Sequence, residues 1–197
     1  MRSVYDFIVQ PYDNNRYNNK KKVGDKDLIL NTQIFTHQNV NRVGVVLSVP
    51  TNGESFGIDE GDLVVVHHNV FRRFHDIRGT EKNSRSYISE NKYLCAKDQI
   101  FAYKKITKWI PMNGYCFVKP IFSNNILSLD KEEPLKGIIK HVDPRLNLKE
   151  GDLVGFTPNS EYEFIIDNER LYRVRSKNIT VKYERQGNEK EYNPSWT

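Results

Sequence analysis

Ile58-Asp59-Glu60-Gly61-Asp62-Leu63-Val64-Val65 returns as Leu148-Lys149-Glu150-Gly151-Asp152-Leu153-Val154-Gly155, ninety positions later. A Gly-Asp turn feeding an aliphatic strand is a common local phrase. Glycine relieves the turn, and β-branched residues suit the extended chain. Two copies inside a matching order of flanking strands point to a duplicated domain. Upstream, Tyr5-Asp6-Phe7-Ile8-Val9-Gln10-Pro11 is echoed by Tyr115-Cys116-Phe117-Val118-Lys119-Pro120. Gly44-Val45-Val46-Leu47-Ser48-Val49 is echoed by Gly137-Ile138-Ile139-Lys140-His141-Val142. Downstream, Tyr87-Ile88 and residues 92–96 read as a hairpin turning at Glu90-Asn91. Its echo is Phe164-Ile165-Ile166 with residues 170–174, turning at Asp167-Asn168-Glu169. Gln99-Ile100-Phe101-Ala102-Tyr103 and Ile179-Thr180-Val181 close the two halves.

No segment carries sustained helical periodicity. The strands are short, β-branched and set off by Gly, Asn, Asp and Pro, which predicts an all-β chain with a small barrel or sandwich in each half. The expected domains are residues 1–105 and 106–184, and a chain of 197 residues suits two units of this size. Residues 13–41 are expected as a long, polar, mobile loop interrupted by Leu28-Ile29-Leu30. Residues 72–85 read as a charged loop centred on Gly79, and 104–111 as the link between halves. Residues 185–197 read as a polar tail, loosely ordered unless it docks through Trp196.

Composition excludes several classes. The net charge is +5, but Lys20-Lys21-Lys22 is the only tight basic run, so nucleic acid is not an expected partner. Cys95 and Cys116 each sit in an apolar run, outside any CxxC pair, and read as buried free thiols of a reducing compartment. The N-terminus has no apolar signal region and no apolar run approaches membrane-spanning length, so no membrane partner is expected and the expected location is cytoplasmic. His67, His68 and His75 lie near Asp76, but adjacent strand residues point to opposite faces, so no metal site is expected. No nucleophile elbow, HExxH, P-loop or GxGxxG is present. The expectation is a protein that is not an enzyme, with no catalytic residue, no metal and no cofactor.

The order of elements resembles the GroES-type co-chaperonin family, small β-barrels that cap the cylindrical chaperonin. That family opens with a strand ending near a proline, then extrudes a mobile loop with an aliphatic motif. A Gly-led strand, a Gly-Asp turn and strand, an Asn-containing hairpin and a closing strand follow. The counterparts here are Leu28-Ile29-Leu30, Gly44-Val45-Val46-Leu47, Glu60-Gly61-Asp62-Leu63-Val64, Ser89-Glu90-Asn91-Lys92-Tyr93-Leu94 and Lys97-Asp98-Gln99-Ile100-Phe101-Ala102. The second half matches through Gly137-Ile138-Ile139, Glu150-Gly151-Asp152-Leu153-Val154 and Ile166-Asp167-Asn168-Glu169. The resemblance covers nearly the whole chain and implies two tandem GroES-like barrels. It further implies assembly into a homo-oligomeric ring, with a GroEL-type chaperonin as partner and protein folding as the process served. The departures are Lys26-Asp27 in place of the glycines before the loop motif, a shortened roof over 50–59, the insertion over 72–85, and a shorter second loop over 122–136. An all-β structural or adaptor protein, such as a virion or ring-assembly component on the same fold, is the alternative.

Leu28, Ile29 and Leu30 are the expected partner-binding residues, and Ile126, Leu127 and Leu129 the weaker ones. Fully burying three aliphatic side chains is worth roughly 5–9 kcal/mol gross. Ordering a loop costs about 1–2 kcal/mol per residue fixed, so one loop binds weakly. A ring of loops binds tightly, because each later contact is intramolecular.

Overall fold

The computed structural model describes residues 1–17, 20–23, 26–29, 39–112, 114–123 and 131–193. The chain is all-β, with short one-turn 3-10 segments at Tyr12–Asn14, Lys97–Gln99 and Ser176–Asn178. No described helix is long and apolar enough to cross a membrane. The chain divides into two compact units, Met1–Thr107 and Lys108–Thr197.

Unit 1 contains β1 (Phe7–Pro11), β2 (Lys20–Val23), β3 (Lys26–Ile29), β4 (Val43–Ser48), β5 (Leu63–Val66), β6 (Arg73–His75), β7 (Glu81–Asn83), β8 (Tyr87–Ser89), β9 (Lys92–Cys95) and β10 (Ile100–Lys105). In its main sheet the strands run β10-β5-β4-β1-β9-β8, all antiparallel. Hairpins β2–β3 and β6–β7 form separate two-stranded sheets. Unit 2 contains β11 (Lys108–Pro111), β12 (Tyr115–Phe122), β13 (Glu132–His141), β14 (Leu153–Phe156), β15 (Tyr162–Ile166), β16 (Glu169–Arg175) and β17 (Ile179–Tyr183). Its six-stranded sheet runs β17-β14-β13-β12-β16-β15. No sheet is closed by hydrogen bonds among the described residues.

Strand for strand, these two orders are the same, and the registers agree in detail. Val9 pairs with Val46 and Pro11 with Gly44; Val118 pairs with Ile139 and Pro120 with Gly137. Each pairing shifts register one step earlier, at Ile8/Val9 and at Phe117/Val118. The glycines are needed where they stand. A Cβ on Gly44 would lie 3.0 Å from the Gln10 carbonyl, and one on Gly137 would lie 2.6 Å from the Lys119 carbonyl. The Glu-Gly-Asp turns are superposable bond by bond. Gly61 N donates to Val46 O at 2.8 Å and Gly151 N to Ile139 O at 2.8 Å. Asp62 and Asp152 each accept, at 2.8 Å, from the backbone N–H three residues earlier. Gly61 and Gly151 have φ of +92° and +90°, a region glycine enters without strain.

The core follows from alternation. β4 reads half-buried and buried in turn from Val43 to Ser48, presenting Val46 inward, while β5 and β14 are almost wholly buried. In unit 2, Val118, Ile139, Val154, Phe156 and Val174 form one apolar cluster. Cys95 and Cys116 are fully buried free thiols, and burial holds both well above the ordinary thiol value.

Several segments read as loops are strands instead. The polar run after β1 contains the one-turn segment Tyr12–Asn14, the bridge Tyr17↔Val40 and hairpin β2–β3. Residues 72–85 form hairpin β6–β7, because Asp76 and Gly79 build a hydrogen-bonded tip that outweighs weak strand propensity. The supposed link over 104–111 is the end of β10, a turn, and β11. β13 begins at Glu132, inside what reads as the second loop. The tail pairs with the end of β12 through the bridge Ile121↔Glu191, with Phe122 N donating to Lys190 O and Tyr192 N to Pro120 O. Trp196 lies outside the described residues. His67 and His68 do not face apart: β5 ends at Val66, strand alternation stops there, and their rings lie 4.2 Å apart.

Candidate functional site

Unit 1 departs from its framework in two places, and both departures root at the same residues, Arg16 and Tyr17: the first at their backbone, the second at their side chains. The first leaves after the bridge Tyr17↔Val40 and carries β2 and β3. Asn41 locks its base: its amide donates to Tyr12 O and Asn15 O at 3.2 and 2.8 Å, and its Oδ1 accepts from Val43 N at 2.9 Å. Asn41 N also donates to Arg16 O at 2.9 Å. This two-sided use of one buried amide explains an asparagine at the entry to a core strand.

The second departure is hairpin β6–β7, and Arg16 holds it. The guanidinium donates through Nε to Phe71 O at 2.9 Å and through Nη1 to Asn83 Oδ1 at 2.8 Å. It also lies 5.2 Å above the Tyr93 ring. Tyr17 accepts from Arg73 N at 2.7 Å, and Ser84 donates to Val70 O at 2.7 Å. A planar fork can satisfy several carbonyls and stack at once, which a lysine cannot. Burial first, and the nearby Arg73 charge after it, pull the Arg16 guanidinium below its ordinary value; burial pushes Tyr93 up. Around this clamp lies a polar cleft of about 530 Å³, lined by Arg16, Tyr17, Arg73, Glu81, Tyr87 and Tyr93 among others.

At the far end of the second hairpin, Asp76 accepts from Arg78 N at 2.9 Å and Thr80 N at 3.0 Å. Gly79 takes φ +77° there. This ordered tip presents Ile77 wholly exposed, and Phe74 stands half-exposed on β6.

In β3, Leu28 pairs by backbone with Lys21 and Ile29 with Lys20. Leu30, Ile126, Leu127 and Leu129 lie outside the described residues. The second unit's connection is tied at its base by Ser123 N donating to Lys131 O at 2.9 Å. Among the described residues, no group of three or more His, Cys, Asp and Glu is placed to hold a metal ion. Sequence reasoning passes over Arg16, Tyr17 and Ile77. The legible signal for the hairpin is Asp76-Ile77-Arg78-Gly79-Thr80, an Asx-started turn closed by glycine.

No protein-family model matches the chain, and the search of curated proteins gives no match.

Proposed function

We propose that the chain is a non-enzymatic co-chaperonin built as two tandem GroES-like barrels. It caps an ATP-driven GroEL-type chaperonin through Leu28, Ile29 and Leu30, and it works as a homo-oligomeric ring in the cytoplasm. The ATP chemistry belongs to the partner. The observation that carries this reading is the shared strand order and register of the two units, combined with their unequal connections. A long excursion bearing an aliphatic triplet leaves unit 1 from a fixed base, and multivalency converts its weak single contacts into firm capture.

The test is a pull-down on a GroEL-type chaperonin with and without ATP, comparing wild type with Leu28→Asp/Ile29→Asp. Nucleotide-dependent capture of wild type, lost in the double variant, is expected. Absence of capture by the wild type under both conditions removes the co-chaperonin reading.

A second reading, a structural or adaptor protein on the same framework, is favoured by one observation. Hairpin β6–β7 lies outside the family pattern, yet its tip is ordered by four hydrogen bonds and offers a wholly exposed isoleucine. Under this reading Ile77→Asp, and not the Leu28/Ile29 change, abolishes assembly in sedimentation.

A further inference from the structure

Unit 2 carries a second cleft, of about 560 Å³, which takes no part in the reading above. Its lining is Gly114, Tyr115, Arg145, Leu146, Arg175, Ser176 and Lys177: three cations and no carboxylate. Unit 2 as a whole has 14 Lys and Arg against 13 Asp and Glu, so the basic character is local and not a sample of the average. Arg175 and Lys177 are exposed, and among the described residues neither makes an ion pair or side-chain hydrogen bond.

Arg145 is held in place. Asp143, 1% exposed, accepts from Arg145 Nε at 3.2 Å, Arg145 Nη2 at 3.0 Å and Arg145 N at 3.1 Å. It also accepts from Gly114 N at 2.9 Å and from the Ser176 hydroxyl at 2.6 Å. One buried carboxylate therefore fixes a guanidinium and two backbone segments around the cleft. Its own oxygens are spent on those five donors, and Asp143 is not among the lining residues. The outer edge of Arg145 remains for a ligand.

The register supplies an internal control. The one-turn segments Lys97–Gln99 and Ser176–Asn178 precede matching strands, and their last residues make the same bond: Gln99 O accepts from His67 N and Asn178 O from Thr157 N. At the corresponding places unit 1 has Ala96 for Arg175, Lys97 for Ser176 and Asp98 for Lys177. The framework is shared, but the cation cluster belongs to unit 2 alone and one of its charges is reversed in unit 1. The fold does not require it.

We infer that this cleft binds a phosphate group, with Arg145 as the oriented fork and Arg175 and Lys177 as flanking charges. A guanidinium pre-set by a buried carboxylate matches a tetrahedral oxyanion, and exposed unpaired cations add charge without geometric demand. The phosphate arrives either as a small free species or as the backbone of a single strand, and the two sources are separable by experiment.

Binding of pyrophosphate by calorimetry and of a fluorescent single-stranded oligonucleotide by anisotropy is measured on the full chain. Wild type, Arg175→Glu/Lys177→Glu, and the unit 1 control Lys97→Glu/Lys92→Glu are compared, with circular dichroism to establish folding. The expected result is binding of at least one probe, weakening with salt, reduced about tenfold or more in the cleft variant and little changed in the control. Pyrophosphate alone identifies a small ligand; the oligonucleotide alone identifies a backbone. Equal losses in both variants mean diffuse attraction to net charge and overturn the site, as does failure of wild type to bind either probe. Arg145→Lys separates the fork from its charge: it weakens pyrophosphate binding if the oriented guanidinium is used, and unchanged binding removes Arg145 from the site.

Discussion

The two units use one strand order and one set of registers, and they spend their differences on what hangs between strands. Tyr93 and Tyr172 occupy matching places, each paired with the residue that opens the shared register of the first strand. Each lies beneath a guanidinium, at 5.2 and 5.1 Å. In unit 2 that guanidinium is Arg170 of the same strand, which reaches Glu163 of β15, Glu132 at the start of β13 and the Tyr172 hydroxyl, all within the sheet. In unit 1 it is Arg16, which arrives from the long connection and ties down the β6–β7 hairpin. The same packing site serves as a local brace in one unit and as an anchor for two excursions in the other. The framework thus limits what can vary, and connections carry the variation.

The sharpest way to break the likeness is at the matched glycines. Alanine at Gly137 overlaps Val118 Cγ1 and crowds the Lys119 carbonyl at 2.6 Å, and neither neighbour is a flexible side-chain end. Alanine at Gly44 meets Gln10 O and Phe71 Cζ at 3.0 Å. Gly137→Ala is expected to cost about 3 kcal/mol and Gly44→Ala about 1 kcal/mol. Urea unfolding followed by tryptophan fluorescence measures the first directly, because both tryptophans, 109 and 196, belong to unit 2. Equal costs at the two sites would mean that the tighter surroundings of Gly137 relax, and that crowding does not distinguish the two matched positions.

Acid separates the units next. His141 matches Ser48 in register, so only unit 2 has a titrating group there. Burial lowers its folded value from 6.5 to about 4, and its Nδ1 is buried with no hydrogen-bond partner among the described residues. The unfolded chain takes up a proton that the folded chain refuses. Stability from this source is therefore complete above about pH 6.5 and is lost as pH falls toward 4. A shift of this size on a half-buried ring is worth about 2 kcal/mol. Asp143 works lower in the scale. Burial opposes its ionisation, but bonds from Arg145 and Ser176 outweigh that and bring it to about 2, so its contribution fades between about pH 3.8 and 2. Fluorescence-monitored unfolding from pH 7 to 4 should show the first loss, and His141→Gln should flatten it. A slope that survives this change assigns the acid sensitivity elsewhere.

Arg16→Ala tests the shared anchor. It removes bonds to Phe71 O and Asn83 and the stacking on Tyr93, and about 2 kcal/mol of unit 1 stability should go with them. Hydrogen exchange should speed up together at Val40, Arg73 and Asn83. Arg16→Lys should not restore protection, since an ammonium cannot bridge and stack at once. Faster exchange in only one excursion would show that the two are rooted separately. The corresponding change in unit 2, Arg170→Ala, should leave exchange outside β15, β16 and the start of β13 unaltered.

Much of this framework is legible in the chain. The repeated Glu-Gly-Asp phrase marks the β5 and β14 turns, and Glu90-Asn91 and Asp167-Asn168 mark real hairpin turns. These features are local: a glycine at positive φ, or Asn and Asp at φ of 50–62°, announces itself in the sequence. What stays hidden depends on distant partners. Nothing near Arg16 in the chain reveals Phe71, Asn83 or Tyr93, so a polar run reads as a plain loop. Arg145, Arg175 and Lys177 look like scattered surface charge until Asp143 draws their segments together. Strands β6 and β7 escape because their residues are exposed, which removes the alternation that identifies a strand. The triplet Leu28, Ile29 and Leu30 stands out by contrast with its surroundings, and its test is the binding experiment.

The smallest expected effect lies at the feature the units share most closely. Asp62 and Asp152 each take a lysine from the closing strand, Lys105 at 2.6 Å and Lys182 at 2.7 Å. The lysines do not match in register: Lys182 stands opposite Val154, whereas Lys105 lies beyond Lys104, the last residue of β10 that pairs with β5. Lys105 also reaches Asp59, where unit 2 has Lys149. Surface ion pairs of this kind are screened by water and add little. The aspartates are kept by their backbone bonds, and the lysines have settled beside them from whatever position the closing strand offered. Lys105→Met and Lys182→Met should therefore leave the unfolding midpoint nearly unchanged, and 0.5 M salt, roughly half the strength that shortens screening to about 3 Å, should erase the difference. Asp62→Ala and Asp152→Ala should each cost more than the partner lysine change, because a turn N–H loses its acceptor. If the lysine changes prove as costly as the aspartate changes, the ion pair and not the turn is what both units preserve.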